Sequence, residues 1–273
     1  MVLGDAGCGL AGPPSSPQPP ASAPSSQLRS VPSPQSWYRF ACVRETIPVP
    51  PTLLRPLWIA VVATVLFMVV ATIQGIAREG YDSWHQAVSA LSLGPRGWIQ
   101  AINFVVFGAA VANTAPVWRR ILAGGRGAGA YPALTAVVGL SFIAAGFIPQ
   151  DPAPGYDPAG LNLQRPTTLG LVHLAIAGVA AACSVAGLFV MAARFAGDDG
   201  WRGWPAYSRV MALLLIVCVA VYGVWSTRAS GFAGTFERLA IVIPLVWTIT
   251  LLRRLEAGAA MMIAARGAEK ANR

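Results

Sequence analysis

Charge is what this chain has least of. Asp, Glu, Lys and Arg make up 11% of its 273 residues, where a soluble domain carries roughly 25%. That deficit excludes an ordinary water-facing surface over most of the length. Histidine is scarcer still, with only His85 and His173. A zinc site from His85, His173 and carboxylates has the right residue types, but no H-E-x-x-H spacing supports it and no metal is expected. The four cysteines, Cys8, Cys42, Cys183 and Cys218, form no C-x-x-C pair, which removes the common zinc and redox motifs. Cys183 and Cys218 stand inside hydrophobic blocks and read as small apolar residues. Cys8 is no lipoprotein site, because no apolar stretch precedes it and Asp5 lies just upstream. There is no G-x-S-x-G, and the Gly-rich stretch Ala123–Ala130 lacks the G-K-[ST] of a phosphate cradle, so it reads as a flexible loop. No cofactor is implied.

What is present is apolar: 55% of residues are hydrophobic, with a mean hydropathy of +0.56. These residues sit in long blocks separated by short loops bearing arginine, the pattern of a membrane protein. Six spans are predicted, at about Leu57–Ile76, Trp98–Trp118, Tyr131–Pro149, Leu169–Ala193, Tyr207–Thr227 and Leu239–Leu252. Lipid offers no hydrogen bonds to the backbone, so the blocks should be helices. Pro116, Pro132 and Pro149 fall near span ends, whereas Pro244 lies within the sixth span and predicts a kink. The uncharged part of that span is only 14 residues, about 21 Å of helix, against a hydrocarbon core of about 30 Å. The helix should therefore extend backward through Phe232–Arg238, drawing Glu237 and Arg238 into the membrane. Arg253 and Arg254 then mark the opposite boundary, where their stems can snorkel.

The net charge of +9 raises nucleic-acid binding in a soluble protein. Here the basic residues flank hydrophobic blocks instead of forming a patch, so no nucleic-acid partner is expected. Fifteen of the 20 Lys and Arg residues fall in the N-terminal tail, the second and fourth connections and the C-terminal end. The other three connections hold five. This alternation fits the positive-inside rule with both termini cytoplasmic, in the cell membrane. It also requires an even number of spans. Residues 1–50, rich in Pro, Ser, Ala and Gln from Gly12 to Pro34, are expected to be a disordered cytoplasmic tail. They read equally as translated sequence upstream of the true start. The six-span domain is assigned to 51–256 and a basic cytoplasmic tail to 257–273. Leu255, Ala259, Met262 and Ile263 share a helical spacing there, suiting either the inner leaflet or a solvated helix end.

With this orientation, the unusual polar residues gather on the outer side. They are Asp82, His85, Ser89 and Ser92 in the first outer connection, then Gln100 and Asn103 three apart in the second span. Asp151 and Asp157 follow in the second outer connection, His173 just inside the fourth span, and Glu237 and Arg238 at the start of the sixth. Ionisable groups inside a span are costly and usually face a bundle interior or a wet cavity. The candidate catalytic residues are therefore His173, Asp151, Glu237 and Ser89, and the candidate ligand-binding residues are Gln100, Asn103 and Arg238. A structural reading stands beside each. Glu237 and Arg238 would neutralise helix ends, and His173 would be tied to Asp151 or to a backbone carbonyl. Asn103, Gly108, Asn113, Gly178 and Ala182 suit close helix packing.

Four stretches carry a resemblance to a known family. They are Ser89–Gly108, Gly146–Pro152, Thr168–His173 and Gly231–Arg238. In order and spacing they resemble the bacterial membrane family called domain of unknown function 998, over about Leu53–Leu255. The resemblance implies a six-span integral membrane protein and no mechanism. It adds weight to Ser89, Asp151, His173, Glu237 and Arg238.

The expectation is thus an all-α, polytopic six-span bundle with an outward-facing polar pocket that binds a lipid or small molecule, the bilayer being its other partner. No internal repeat argues for a full transport path. An alternative is a hydrolase or transferase at the outer leaflet, with His173 as base, Asp151 orienting it and Arg238 holding an anionic headgroup. A third reading is a structural or accessory membrane protein.

Overall fold

A computed structural model describes residues 51–228 and 231–271, with side chains for 52–228 and 231–260. The expected tail at 1–50 lies outside the described residues, as do the side chains of Met262 and Ile263. Among the described residues there is no strand. The main helices are α1 (Pro51–Ala77), α2 (Gly97–Ala112), α3 (Ala115–Ile121), α4 (Ala130–Phe147), α5 (Thr168–Phe195), α6 (Trp204–Trp225) and α7 (Ala233–Ala271). Short 3₁₀ turns occur at Val88–Ser92 and Asp199–Trp201. Six segments are long and apolar enough to cross a membrane, with α2 and α3 forming one of them between Gly97 and Ile121.

One span departs from the sequence reading. The second span is interrupted at Asn113–Thr114. Pro116 is the second residue of the next helix and has no N–H to continue the ladder to Ala112. The Thr114 hydroxyl donates instead to the Val111 carbonyl at 2.6 Å. In α7 the helix is continuous through Pro244. It begins at Ala233, so Glu237 and Arg238 lie in its first two turns, as the short apolar stretch required.

Each span packs against its predecessor and its successor, and α7 returns to α1. The six spans therefore close into a ring. In α1 the inward positions are Leu54, Leu57, Val61, Thr64, Phe67, Ala71 and Gln74, the three- and four-residue steps of one helix face. The outward positions Ile59, Val62, Leu66 and Ile73 are equally apolar and exposed, as lipid-facing residues must be. Where α2 meets α4 the backbones touch. A Cβ at Gly108 would lie 2.5 Å from the Gly139 carbonyl oxygen, so only glycine fits. Gly178 differs, because a Cβ there would meet nothing within 4 Å. Its expected role in close packing is replaced by a place on an open cavity wall.

The ring has two cores. One gathers Leu57, Trp118, Leu188, Met191, Leu215, Trp247 and Leu252. The other gathers Phe67, Val88, Leu91, Phe104 and Phe107, where Phe67 and Phe107 stack at 4.8 Å and Phe142 meets Phe107 edge-on at 4.6 Å.

Candidate functional site

The loop between α1 and α2 folds back onto the second core. Val88, Ala90 and Leu91 of its 3₁₀ turn are fully buried. Asp82 starts the loop by accepting from the Trp84 N–H at 2.8 Å, and its other oxygen meets His85 Nδ1 at 2.7 Å. The Trp84 N–H, ahead of the His85 contact, holds the Asp82 carboxyl below its ordinary pKa.

The start of α7 fastens this loop. The Gly234 and Thr235 N–H groups donate to the carbonyls of His85 and Trp84 at 3.2 and 3.1 Å, satisfying donors that every helix N-terminus leaves free. A side chain at Gly234 would strike the Ser83 and Gln86 carbonyls. Arg238 donates to the carbonyls of Ser83 (2.6 Å), Gln86 (3.2 Å) and Gly234 (2.9 Å), and to the Tyr81 hydroxyl (2.8 Å). That hydroxyl donates in turn to the Ala87 carbonyl at 2.9 Å. Burial pushes the Tyr81 phenol up to about 12, although Arg238 opposes the shift. Glu237 accepts from the Val88 N–H and stands 3.5 Å from the Ser89 hydroxyl. Glu237 and Arg238 form no ion pair with each other. Both are used by the loop, one through acceptors and the other through donors.

The α4–α5 connection supplies the facing wall. The Asp151 carboxylate accepts from the Thr167 N–H (2.8 Å) and hydroxyl (2.6 Å), and the Thr167 oxygen caps α5 by accepting from Gly170 N–H at 3.0 Å. His173 Nδ1 lies 2.6 Å from the Ile148 carbonyl. A carbonyl only accepts, so Nδ1 carries a proton, and in the neutral form of the ring Nε2 is an acceptor. Nε2 has no partner among the described residues, yet it is not sealed. The Ser89 hydroxyl donates to Gln150 Oε1.

These groups border a partly open cavity of about 520 Å³ lined by the ring of helices. Its polar end holds His85, Ser89, Gln150, Asp151, His173 and Glu237, with exposed Arg228 beside them. Its far end is apolar and aromatic, lined by Leu57, Trp118, Tyr131, Leu188 and Trp247. Trp118 meets Tyr131 edge-on at 5.2 Å there. Between the ends, Thr64, Thr135 and Ser184 line the wall, but each hydroxyl donates to the carbonyl four residues earlier in its own helix. The wall is therefore less polar than its composition suggests.

Four sequence-selected residues, Ser89, Asp151, His173 and Glu237, thus meet at one end of the cavity. Three do not. Gln100 and Asn103 form a seam with α1, where Gln74 Nε2 donates to Gln100 Oε1 at 2.8 Å and Asn103 Nδ2 donates to the Phe67 carbonyl at 3.0 Å. Arg238 faces the loop carbonyls. Nor do Asp151 and His173 pair, each having another partner. Gln150 and Arg228 were not singled out from sequence. Gln150 stands in the Gly146–Pro152 stretch, next to Asp151, and was the readable signal. Among the described residues no group of three or more His, Cys, Asp or Glu is placed to hold a metal ion.

The family described as protein of unknown function (DUF998) matches residues 61–254. The chain belongs to this family. The match runs from α1 into α7 and takes in the loop, the α4–α5 connection and every residue named at the polar end of the cavity. The DUF998 match and the six apolar helices together make this a multi-pass membrane protein of a family without an assigned molecular function. Comparison with curated proteins and with solved structures returned no match.

Proposed function

We propose that this DUF998 protein binds one small amphiphile in its central cavity, with the polar end of the cavity open to the outside of the cell membrane. The observation that carries the reading is the polarity gradient along one continuous cavity. Polar groups collect at one end, while Trp118, Tyr131 and Trp247 form the other. From His173 to Leu188 the lining residues span about 22 Å of helix. A volume of about 520 Å³ over that length leaves a cross-section of roughly 24 Å², room for one extended hydrocarbon chain. The volume is also within the usual range for ligand sites. Cytoplasmic termini follow from the lysine and arginine asymmetry and the even number of spans.

An enzyme at the outer leaflet has less support. The Ser89 hydroxyl is directed to Gln150 and not to His173, and His173 is oriented by a backbone carbonyl in place of a carboxylate.

Gly178→Phe tests the binding reading, since Gly178 faces open space on the cavity wall. The variant should fold normally and lose at least about tenfold in the amount of amphiphile that co-purifies, read by mass spectrometry of the extracted protein. Undiminished co-purifying amphiphile in a folded Gly178→Phe protein would refute occupancy of the cavity. Labelling of single cysteines placed in the α1–α2 and α3–α4 connections of intact cells tests the orientation. Only the former should react with an impermeant reagent.

A further inference from the structure

The polar end of the cavity has a chemical bias of its own. Its side chains offer mostly acceptors. Glu237 and Asp151 are carboxylates. Gln150 Oε1 accepts from the Ser89 hydroxyl and keeps one further lone pair, while its side-chain NH2 has no partner among the described residues. His173 is 5% exposed and has its Nδ1 proton committed to Ile148, leaving Nε2 as an unpartnered acceptor on the cavity wall. Two donors are already used, the Ser89 O–H on Gln150 and the Val88 N–H on Glu237, and the Tyr222 hydroxyl also borders the cavity. Arg238, the nearest cation in sequence to Glu237, is turned to the Ser83, Gln86 and Gly234 carbonyls. Glu237 therefore borders the cavity with no cation within ion-pair distance among the described residues. Arg228 is the one guanidinium on the lining, and it stands exposed in the α6–α7 connection. A carboxylate removed from water without a countercharge is costly. A headgroup that brings several N–H donors and a positive charge offsets that cost.

Resting on the binding reading above, we infer that the amphiphile is a cationic amine, its ammonium group held by Glu237, Gln150 and His173 Nε2 and its single chain lying toward Trp247. An ammonium supplies three donors and no acceptor, matching the lone pairs still free on Glu237, Gln150 and His173. A carboxylate or phosphate headgroup supplies only acceptors and would face Glu237 and Asp151.

The test uses three probes with the same C18 chain, namely oleylamine, oleyl alcohol and oleate. Binding to the full chain in detergent is read by native mass spectrometry at matched concentrations. Oleylamine should bind about tenfold more tightly than oleyl alcohol, and oleate most weakly, as expected for a charge-assisted contact. Glu237→Gln should abolish the preference for oleylamine over oleyl alcohol. Gln150→Glu retains an acceptor for Ser89 and adds a carboxylate. It should strengthen oleylamine binding severalfold, an outcome that misfolding cannot imitate. Oleate binding as tightly as oleylamine, or neither variant altering the preference, overturns the inference while leaving amphiphile binding intact. If none of the three probes binds, both readings fall together.

Discussion

At the His85 end of the ring, a folded loop is held by Arg238 and Glu237 through backbone carbonyls and an N–H group. At the Trp247 end the same helices meet mainly through side chains. Trp247, Leu251 and Leu252 are fully buried, and Phe195 stacks on Trp201 at 4.4 Å. Arginines cover aromatic faces there, with Arg254 over Trp201 at 4.8 Å and Arg253 over Trp58 at 5.0 Å. One end is closed by directional bonds to fixed dipoles and the other by contact area. Directional bonds hold polar groups in position beside a cavity; contact area only seals its floor. A polar site in a membrane protein therefore needs polar scaffolding behind it, and here Arg238 has that task.

The largest expected effect is at the apolar end. Trp247→Ala removes the largest fully buried side chain and strips the Ser208 hydroxyl of its donor, 3.0 Å away. A loss of about 3–5 kcal/mol is expected, read as a global drop in thermal unfolding in detergent. A loss below about 1 kcal/mol would mean that the floor is not what holds that end together.

Next is Arg238→Met, which keeps much of the side-chain bulk and removes every donor. The Ser83 and Gln86 carbonyls lose their guanidinium partner, at a cost of about 2–3 kcal/mol. This loss should be local. Amide exchange should accelerate across residues 81–93 and stay unchanged near Trp247. Uniform acceleration over both ends would erase the distinction drawn between them.

The smallest effect is that of acid on the loop. The Asp82 carboxyl titrates below its ordinary value in the folded state because it accepts from the Trp84 N–H. Its contribution is complete above the ordinary carboxylate pKa and is lost as pH falls through the lowered folded value. Exchange of the Trp84 amide should rise over that acid window in the native chain and be insensitive to it in Asp82→Asn. Since Asp82 is largely exposed, global stability should hardly move.

The positions of six spans were legible because hydrophobic length is a one-dimensional property. The place of Glu237 and Arg238 inside the last helix was legible for the same reason, since too short an apolar stretch must borrow its neighbours. Ser89, Asp151, His173 and Glu237 could be grouped by their shared end of the bundle. A backbone-carbonyl tie for His173 was one of two expected partners and is the one found, at Ile148; the other partners were not legible. Arg238 bonds to Ser83, 155 positions away, and Gln150 meets Ser89 across 61. Gln100 and Asn103 share a helix face, as their spacing required, but that face meets α1 and not the cavity.

The amino-acid sequence by itself determined that the described residues form helices, six of the segments long and apolar enough to cross a membrane, because lipid demands internal backbone bonding and length sets the crossing. Only the tertiary structure decided that the spans close into a ring around a cavity, and which polar groups border it. The physical reason is visible in α1, where inward Leu57, Val61 and Phe67 and outward Ile59, Val62 and Leu66 are all apolar. In water, polarity separates the buried face of a helix from the exposed one. In lipid both faces are hydrocarbon, and shape and interhelical hydrogen bonds make the choice.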